Sequence, residues 1–365
     1  PFWKADASLA EGSGNTARCQ LAYHDYRQIP LDCTVQISSL NSKGIAQSST
    51  ATKDKEQHHI SFDFEADGQA PIDLISAIAS YPAKEFCLNR VLFRKQASEP
   101  LESITKAGDN TIYSIDNGII QIQVSPEFAP AVFSLRYQNN EWFDSSFPDR
   151  CAKSWWNPWC GGAEVIPNNM LRSAWLAEKH QVSFVQKQDN FAQVWKGIEI
   201  KTRIANNDSL KGICVCQYFM VLPGLPVIAM YATYQQDQGF YRHLEAISRI
   251  FVKADEDIKN SSYEISKDDQ LLSTNCGVED IEFNFEGKLM ACRGKHRQEK
   301  LYFYCTKAPS RAFAGSDIFA VSLLFYDYIR MYNRESKASQ LKFIILSELS
   351  LPEKALIDLD NIRIS

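Results

Sequence analysis

The run Ile115-Asp116-Asn117-Gly118-Ile119-Ile120-Gln121-Ile122-Gln123-Val124 decides the fold class. Ile120, Ile122 and Val124 fall on one face of an extended chain, and Gln121 and Gln123 fall on the other. That two-residue period belongs to a strand with one buried side. Tyr113-Ser114-Ile115 precedes the Asn-Gly pair, and both turn residues tolerate the positive φ that a tight reversal needs, so the segment reads as a β-hairpin. Outward from it, strand patterns recur at 131–137, 181–188, 192–197, 198–204, 213–222 and 226–234. They continue at 239–252, 281–285, 288–292, 301–305, 318–325 and 341–346. In 198–204 the side chains of Ile198, Ile200 and Ile204 point inward, and Glu199, Lys201 and Arg203 point outward. Only 351–358, with Pro352 at a first-turn position, reads as helix. So many strands in one region require a large double sheet.

The chain has 365 residues, beyond the size at which a single core keeps growing, so two domains are expected. Residues 1–95 read as a small immunoglobulin-like β-sandwich. Its strand patterns lie at 19–23, 33–37, 60–64 and 91–93, around a long Ser/Lys/Thr-rich loop at 40–57. The polar stretch 96–110 (QASEPLESITKAGDN) reads as a linker, and 111–365 as the second domain. The fold class is therefore all-β.

Net charge is −5 and no Lys/Arg cluster breaks the mixed pattern, which argues against a nucleic-acid partner. Apolar stretches such as 213–234 are interrupted by Gln217, Pro223 and Pro226, so no membrane span is expected. The ten cysteines lack C-x-x-C spacing and fall mostly within strand patterns. They predict reduced thiols and a cytoplasmic location rather than a disulfide framework or a zinc site. Phosphate-loop, dinucleotide, serine-hydrolase and zinc-protease motifs are all missing, and neither a cofactor nor a metal is expected. The chain starts at Pro1, which fits either removal of a preceding Met or a piece of a longer chain or assembly.

Two passages carry a resemblance. One is the opening hairpin with its continuation Ser125-Pro126-Glu127-Phe128 and Ala131-Val132-Phe133-Ser134-Leu135. The other is Val221-Leu222-Pro223-Gly224-Leu225-Pro226-Val227-Ile228-Ala229-Met230-Tyr231. Together they resemble the galactose-mutarotase-like supersandwich over roughly 111–350. This fold is shared by aldose epimerases, polysaccharide lyases and the β domains of some glycoside hydrolases. The resemblance implies a large β-sandwich that handles carbohydrate. Members that open a sugar ring use a His acid and a Glu base. The six His of this chain, at 24, 58, 59, 180, 243 and 296, do not sit in that setting, so the mechanism does not carry over.

The most unusual stretch is 143–180, which holds four of the seven Trp. Trp155, Trp156, Asn157 and Trp159 lie among Pro158, Gly161, Gly162 and Pro167. Asp149, Arg150, Glu164, Asn168, Arg172 and Trp175 complete the set. Sugars offer C–H faces to indoles, and hydroxyls to amides, carboxylates and guanidinium groups, so this loop is the candidate sugar platform. A plug of buried indoles is the competing reading. Tyr241, His243 and Glu245 share one strand face, where His243 and Glu245 form either an acid/base pair or a solvated ion-pair face. His180 is a further candidate base. The turn Arg293-Gly294-Lys295-His296-Arg297 either grips a carboxylate or sulfate or is a charged hairpin tip.

Three readings follow. The first is a carbohydrate-recognising β-sandwich, or an accessory domain of a carbohydrate-active protein, using the Trp loop. The second is an epimerase or lyase, with His243 or His180 as base. Its acid would be Tyr241 or one of Asp144, Asp149 and Glu164, and Arg150 or Arg172 would stabilise charge. The third is a structural or protein-interaction module.

Overall fold

A computed structural model describes the chain except residues 1, 6–15, 25–32, 40–46, 52–58, 68–69, 82–83, 96–98, 154–159, 169, 171, 238, 240, 268–269 and 279–280. It divides into two compact units. The smaller comprises Pro1–Ser98, Pro223–Leu225 and Leu349–Ile362, and the larger comprises Glu99–Leu222, Pro226–Glu348 and Arg363–Ser365.

The smaller unit contains β1 (Phe2–Ala5), β2 (Thr16–His24), β3 (Cys33–Ser39), β4 (Gln47–Ala51), β5 (His59–Asp67), β6 (Ile72–Tyr81) and β7 (Lys84–Phe93). They form an antiparallel sheet in the order β1-β2-β5 and another in the order β4-β3-β6-β7. β4 lies inside the segment expected as a solvated loop. Its composition, Gln-Ser-Ser-Thr-Ala, carries no apolar alternation because β4 is an edge strand with one neighbour. The C-terminal stretch expected as α-helix is a 3-10 helix, Glu353–Asn361, with Pro352 at its N-cap, and it belongs to this unit rather than to 111–365. Arg90 ties it to β7, pairing with Asp358 at 3.4 Å.

In the larger unit the first strands are β8 (Leu101–Ala107), β9 (Asn110–Asp116), β10 (Ile120–Ser125), β11 (Ala129–Tyr137), β12 (Asn140–Glu141) and β13 (Ala163–Pro167). A short helix α1 (Arg172–Ala177) leads to β14 (His180–Gln188), β15 (Val194–Arg203), β16 (Cys214–Val221), β17 (Val227–Gln235) and β18 (Arg242–Phe251). Then come β19 (Ser261–Lys267), β20 (Gln270–Asn275), β21 (Ile281–Phe285), β22 (Leu289–Gly294) and β23 (Lys300–Cys305). The last are β24 (Arg311–Ser316), β25 (Val321–Met331), β26 (Ser336–Ala338) and β27 (Lys342–Ser347). Two ten-stranded sheets result. One runs β21-β24-β25-β18-β13-β11-β10-β9-β8 with β12 on β11. The other runs β14-β15-β16-β17-β27-β23-β22-β19-β20 with β26 on β17. This is an all-β architecture built on two large sheets.

Several boundaries differ from expectation for physical reasons. The supposed linker 96–110 contains β8, which pairs with β9 in register from Leu101↔Asp116 to Ala107↔Asn110. Every β8 residue is exposed, so its polarity marks an edge strand solvated on both faces. The two expected strands 192–197 and 198–204 are one continuous β15. The expected strand 318–325 begins only at Val321, because Asp317 turns the chain by accepting the Phe319 and Ala320 N–H groups, and it runs on to Met331.

The opening hairpin forms as its sequence dictates. Asn117 accepts the Ile119 and Ile120 N–H groups at 3.0 and 2.8 Å, and Gly118 takes φ 92°. The inward faces of both sheets, including Ile120, Ile122, Val124, Ile198, Ile200, Phe219, Met230, Phe303 and Phe325, make one continuous core. Apolar burial of this kind contributes roughly 25 cal/mol per Å². β11 and β13 pair only at Val132↔Ala163. Buried Gln217 sits where they diverge, accepting from Val165 N at 2.7 Å and donating to Pro130 O at 2.8 Å. It satisfies two backbone groups that would otherwise be stranded. Among the described residues eight cysteines are free thiols, four of them buried, namely Cys160, Cys276, Cys292 and Cys305. Among the described residues, no helix is long and apolar enough to cross a membrane.

Candidate functional site

Register places one set of side chains on a common face of the first sheet. Glu164 of β13 is opposite Arg249 of β18, and Arg249 is opposite Leu324 of β25. Two residues along, Ile166, Ile247 and Tyr326 align, and Tyr326 is opposite Arg311 of β24. Farther along, Glu245 is opposite Tyr328 and His243 is opposite Arg330. Strand periodicity of two then puts Glu164, Arg249, Glu245, His243, Tyr326, Tyr328, Arg330 and Arg311 on one surface.

That surface has a dry half and a wet half. In the dry half Glu164 and Arg249 are almost fully buried and paired, with Nε 2.5 Å from Oε1. In the wet half Asn168, just past β13, donates Nδ2–H to Glu245 Oε2 at 2.6 Å. Arg311 approaches the same oxygen at 3.9 Å while lying 4.0 Å above the Tyr326 ring. The His243 ring lies 5.1 Å from that of Tyr328, which is 61% exposed. Tyr241 and Tyr332 add a second exposed aromatic pair at 5.3 Å. Exposed rings therefore flank a carboxylate already oriented by an amide and a guanidinium.

Of the expected site residues, Glu164, Asn168, His243 and Glu245 meet on this face, with Tyr241 at its exposed end. Glu164 is committed to Arg249 and is closed to solvent, so it acts as support rather than as a ligand contact. The acid/base pairing of His243 with Glu245 does not form: the imidazole packs on Tyr328 and the carboxylate holds Asn168 and Arg311. Arg150 donates to the Glu127 carbonyl, and Asp149 is exposed on the same loop. Trp175, expected in the platform, is 1% exposed and belongs to the core, because α1 turns that indole inward. His180 is half-buried with Nδ1 2.8 Å from Thr202 Oγ1, and desolvation lowers its pKa to about 4. Asp144 is held by Lys153 at 2.6 Å, yet burial still raises its pKa. Trp155, Trp156, Asn157 and Trp159 lie outside the described residues, as does the side chain of Arg172.

Arg249, Arg311, Tyr326, Tyr328 and Arg330 were not singled out from sequence. The alternation Tyr326, Tyr328, Arg330 was available as a signal, but a strand ended at Phe325 hides it. A separate concavity of about 1100 Å³ lies between the start of β14, β15 and the 204–213 loop. Its buried carboxylate, Glu178, is occupied by the Ala205 and Asn206 N–H groups and the Asn206 amide. Among the described residues no cluster of His, Cys, Asp and Glu is arranged to hold a metal ion.

No family model matches this sequence, and no curated protein matches it. Solved structures do. A TPR-domain containing protein from Parabacteroides distasonis is 9% identical over 94% of this chain, with a TM-score of 0.48, and the chain spans 57% of that protein's length. A galactose mutarotase-like protein from Clostridium acetobutylicum is 9% identical with a TM-score of 0.49, covering 69% of this chain and 99% of its own. The GH36 α-galactosidase AgaB from Geobacillus stearothermophilus is 9% identical with a TM-score of 0.45, covering 67% of this chain and 41% of its own. Structures similar to the chain thus include galactose-mutarotase-like, aldose 1-epimerase and glycoside hydrolase proteins, and the likeness is one of fold alone.

Proposed function

We propose that this chain is a carbohydrate-recognising β-sandwich protein, or the accessory part of a longer carbohydrate-active one. Its ligand would lie on the β13–β18–β25–β24 face. One observation carries the reading: Tyr328, 61% exposed, stands directly opposite Glu245, whose carboxylate is pre-oriented by Asn168. An exposed ring takes the C–H face of a pyranose. A carboxylate, an amide and a guanidinium beside it suit the hydroxyls. Trp155, Trp156 and Trp159 are proposed as further stacking partners, and Asp149 and Arg150 as further polar contacts.

Recognition ranks above catalysis of the epimerase or lyase type. A general base must reach the proton it removes in a usable protonation state. His243 is engaged with Tyr328, and His180 is half-buried against Thr202. The small unit fits an immunoglobulin-like sandwich, since its strands, lettered in chain order with β4 as C′, run A-B-E and C′-C-F-G.

Intrinsic fluorescence titrated with neutral, amino and uronic sugars tests the proposal, with Trp156→Ala and Tyr328→Ala as controls. A saturable change with one sugar class, weakened in either variant, supports it. No response from any sugar, together with capture of a defined protein partner through the Tyr241, Tyr328 and Tyr332 surface, would favour the interaction reading.

A further inference from the structure

The turn Arg293–Arg297 lies at the β22–β23 hairpin, where Arg293 is opposite Lys300. It forms one wall of a cavity of about 530 Å³ in the larger unit, away from the Tyr328 face. Five cations line it: Lys259, Arg293, Lys295, Arg297 and Lys300. The rest of the lining is glycine and neutral polar side chains, with Asn275 and Gln298 supplying amides.

Local charge does not cancel. Glu264 is buried and takes both Lys300, at 2.8 Å, and Arg293, at 3.4 Å. Glu256 takes Arg297 at 3.6 Å and is shared with Lys253 at 2.7 Å. Asp255 accepts from His296 N in this turn, and Asp257 caps the 3-10 helix Ile258–Asn260 by accepting from Lys259 N. Lys259 and Lys295 are exposed, and among the described residues neither has a carboxylate partner. Two exposed cations lining one cavity raise its positive potential, which favours an anion there.

The wall is also built rather than loose. A side chain at Gly294 would place a Cβ 2.1 Å from the Ala254 carbonyl oxygen, so the backbones touch here. Lys295 N–H donates to Asn260 O at 2.9 Å. Arg297 donates to the Glu141 and Lys253 carbonyls, both at 3.0 Å, and stacks over Trp142 at 4.8 Å. Donors fixed in this way pre-organise a site and lower the ordering cost of binding.

We propose that this cavity binds a doubly charged phosphate group, free or as a phosphate monoester, with the Lys259 and Lys295 ammonium groups as its principal contacts. Two unpaired ammoniums match the charge of close to −2 that a phosphate monoester carries at neutral pH. Arg293 and the two amides complete the donor set for its oxygens. The proposal stands independently of the sugar-binding face.

Isothermal titration of the full chain with inorganic phosphate and with glucose 6-phosphate, in chloride buffer at constant ionic strength, tests it. Saturable binding is expected, weakened about tenfold or more in the Lys259→Ala/Lys295→Ala double variant and unchanged in Tyr328→Ala. Both lysines are exposed, and circular dichroism with thermal melting verifies that the double variant folds. Tighter binding of glucose 6-phosphate than of inorganic phosphate would identify a sugar-borne group, and equal binding would identify the anion alone as what is recognised. Absence of saturable binding to either probe, or equal affinity in the double variant, would overturn the proposal.

Discussion

Glu164 and Arg249 face each other across β13 and β18 as an ion pair closed to solvent, with side chains 3% and 1% exposed. The pair lies on the same sheet face as Glu245, His243 and Tyr328, at its buried end. It fixes the spacing of the two strands on which Asn168 and Glu245 meet.

Removing one partner is predicted to be costly. Arg249→Met leaves a carboxylate buried without its cation, and should lower unfolding free energy by roughly 3–5 kcal/mol. The double variant Glu164→Gln/Arg249→Met should recover part of that loss, because no charge stays buried. Urea denaturation of the wild type, both singles and the double gives the comparison. Additive losses would show that the two groups do not act as a pair.

Asn117 joins the two passages on which the family resemblance rests. Its side chain caps the hairpin turn and donates Nδ2–H to Leu222 O at 2.7 Å. Asn117→Asp keeps the acceptor but loses the donor, and should cost about 1–2 kcal/mol. Asn117→Ala loses all three bonds and should cost more, about 2–4 kcal/mol. Equal losses in chemical denaturation would mean that the bridge to Leu222 contributes nothing.

His180 supplies a pH dependence. Its pKa falls from 6.5 to about 4 on folding, chiefly by desolvation, so the unfolded chain binds the proton more readily than the folded one. Stability contributed by neutral His180 is complete above the unfolded value, declines as pH falls below about 6.5, and levels off near 4. The loss should be on the order of 2 kcal/mol, allowing for partial exposure. His180→Gln should flatten that part of the Tm-against-pH curve between pH 7 and 4. An unchanged slope would place the proton uptake elsewhere.

Much of the architecture is local and therefore legible. Asn117-Gly118 states its own turn, and the alternation of Ile198, Ile200 and Ile204 states its buried face. The β8 edge strand is not legible, because a strand wetted on both sides has the composition of a linker. β25 is read short, since its apolar run gives way past Phe325 to aromatic and charged residues, of which Tyr328 and Arg330 face solvent. Residue type also misleads at Trp175: an indole in a Gly- and Pro-rich segment suits a sugar platform or a core, and only the orientation of α1 decides for the core. The partners of Glu164 and Glu245 are non-local. Arg249 lies 85 residues from Glu164, and Asn168 lies 77 from Glu245, separations at which no periodicity speaks.

The face itself makes a graded prediction. Asn168→Ala releases one oxygen of the Glu245 carboxylate without touching an aromatic ring. It should weaken a bound sugar by a few-fold, whereas Tyr328→Ala removes the stacking plane and should weaken it by roughly tenfold or more. The reverse order would mean that the carboxylate, not the ring, carries recognition.

The most direct measurement is isothermal titration of the sugar that gives the strongest fluorescence response against wild type, Tyr328→Ala and Lys259→Ala/Lys295→Ala. The account predicts saturable one-site binding in the wild type, loss of about tenfold or more in Tyr328→Ala, and no change in the lysine variant for an uncharged sugar. Equal affinity for wild type and Tyr328→Ala would contradict it, and would remove the β13–β18–β25–β24 face from the binding surface.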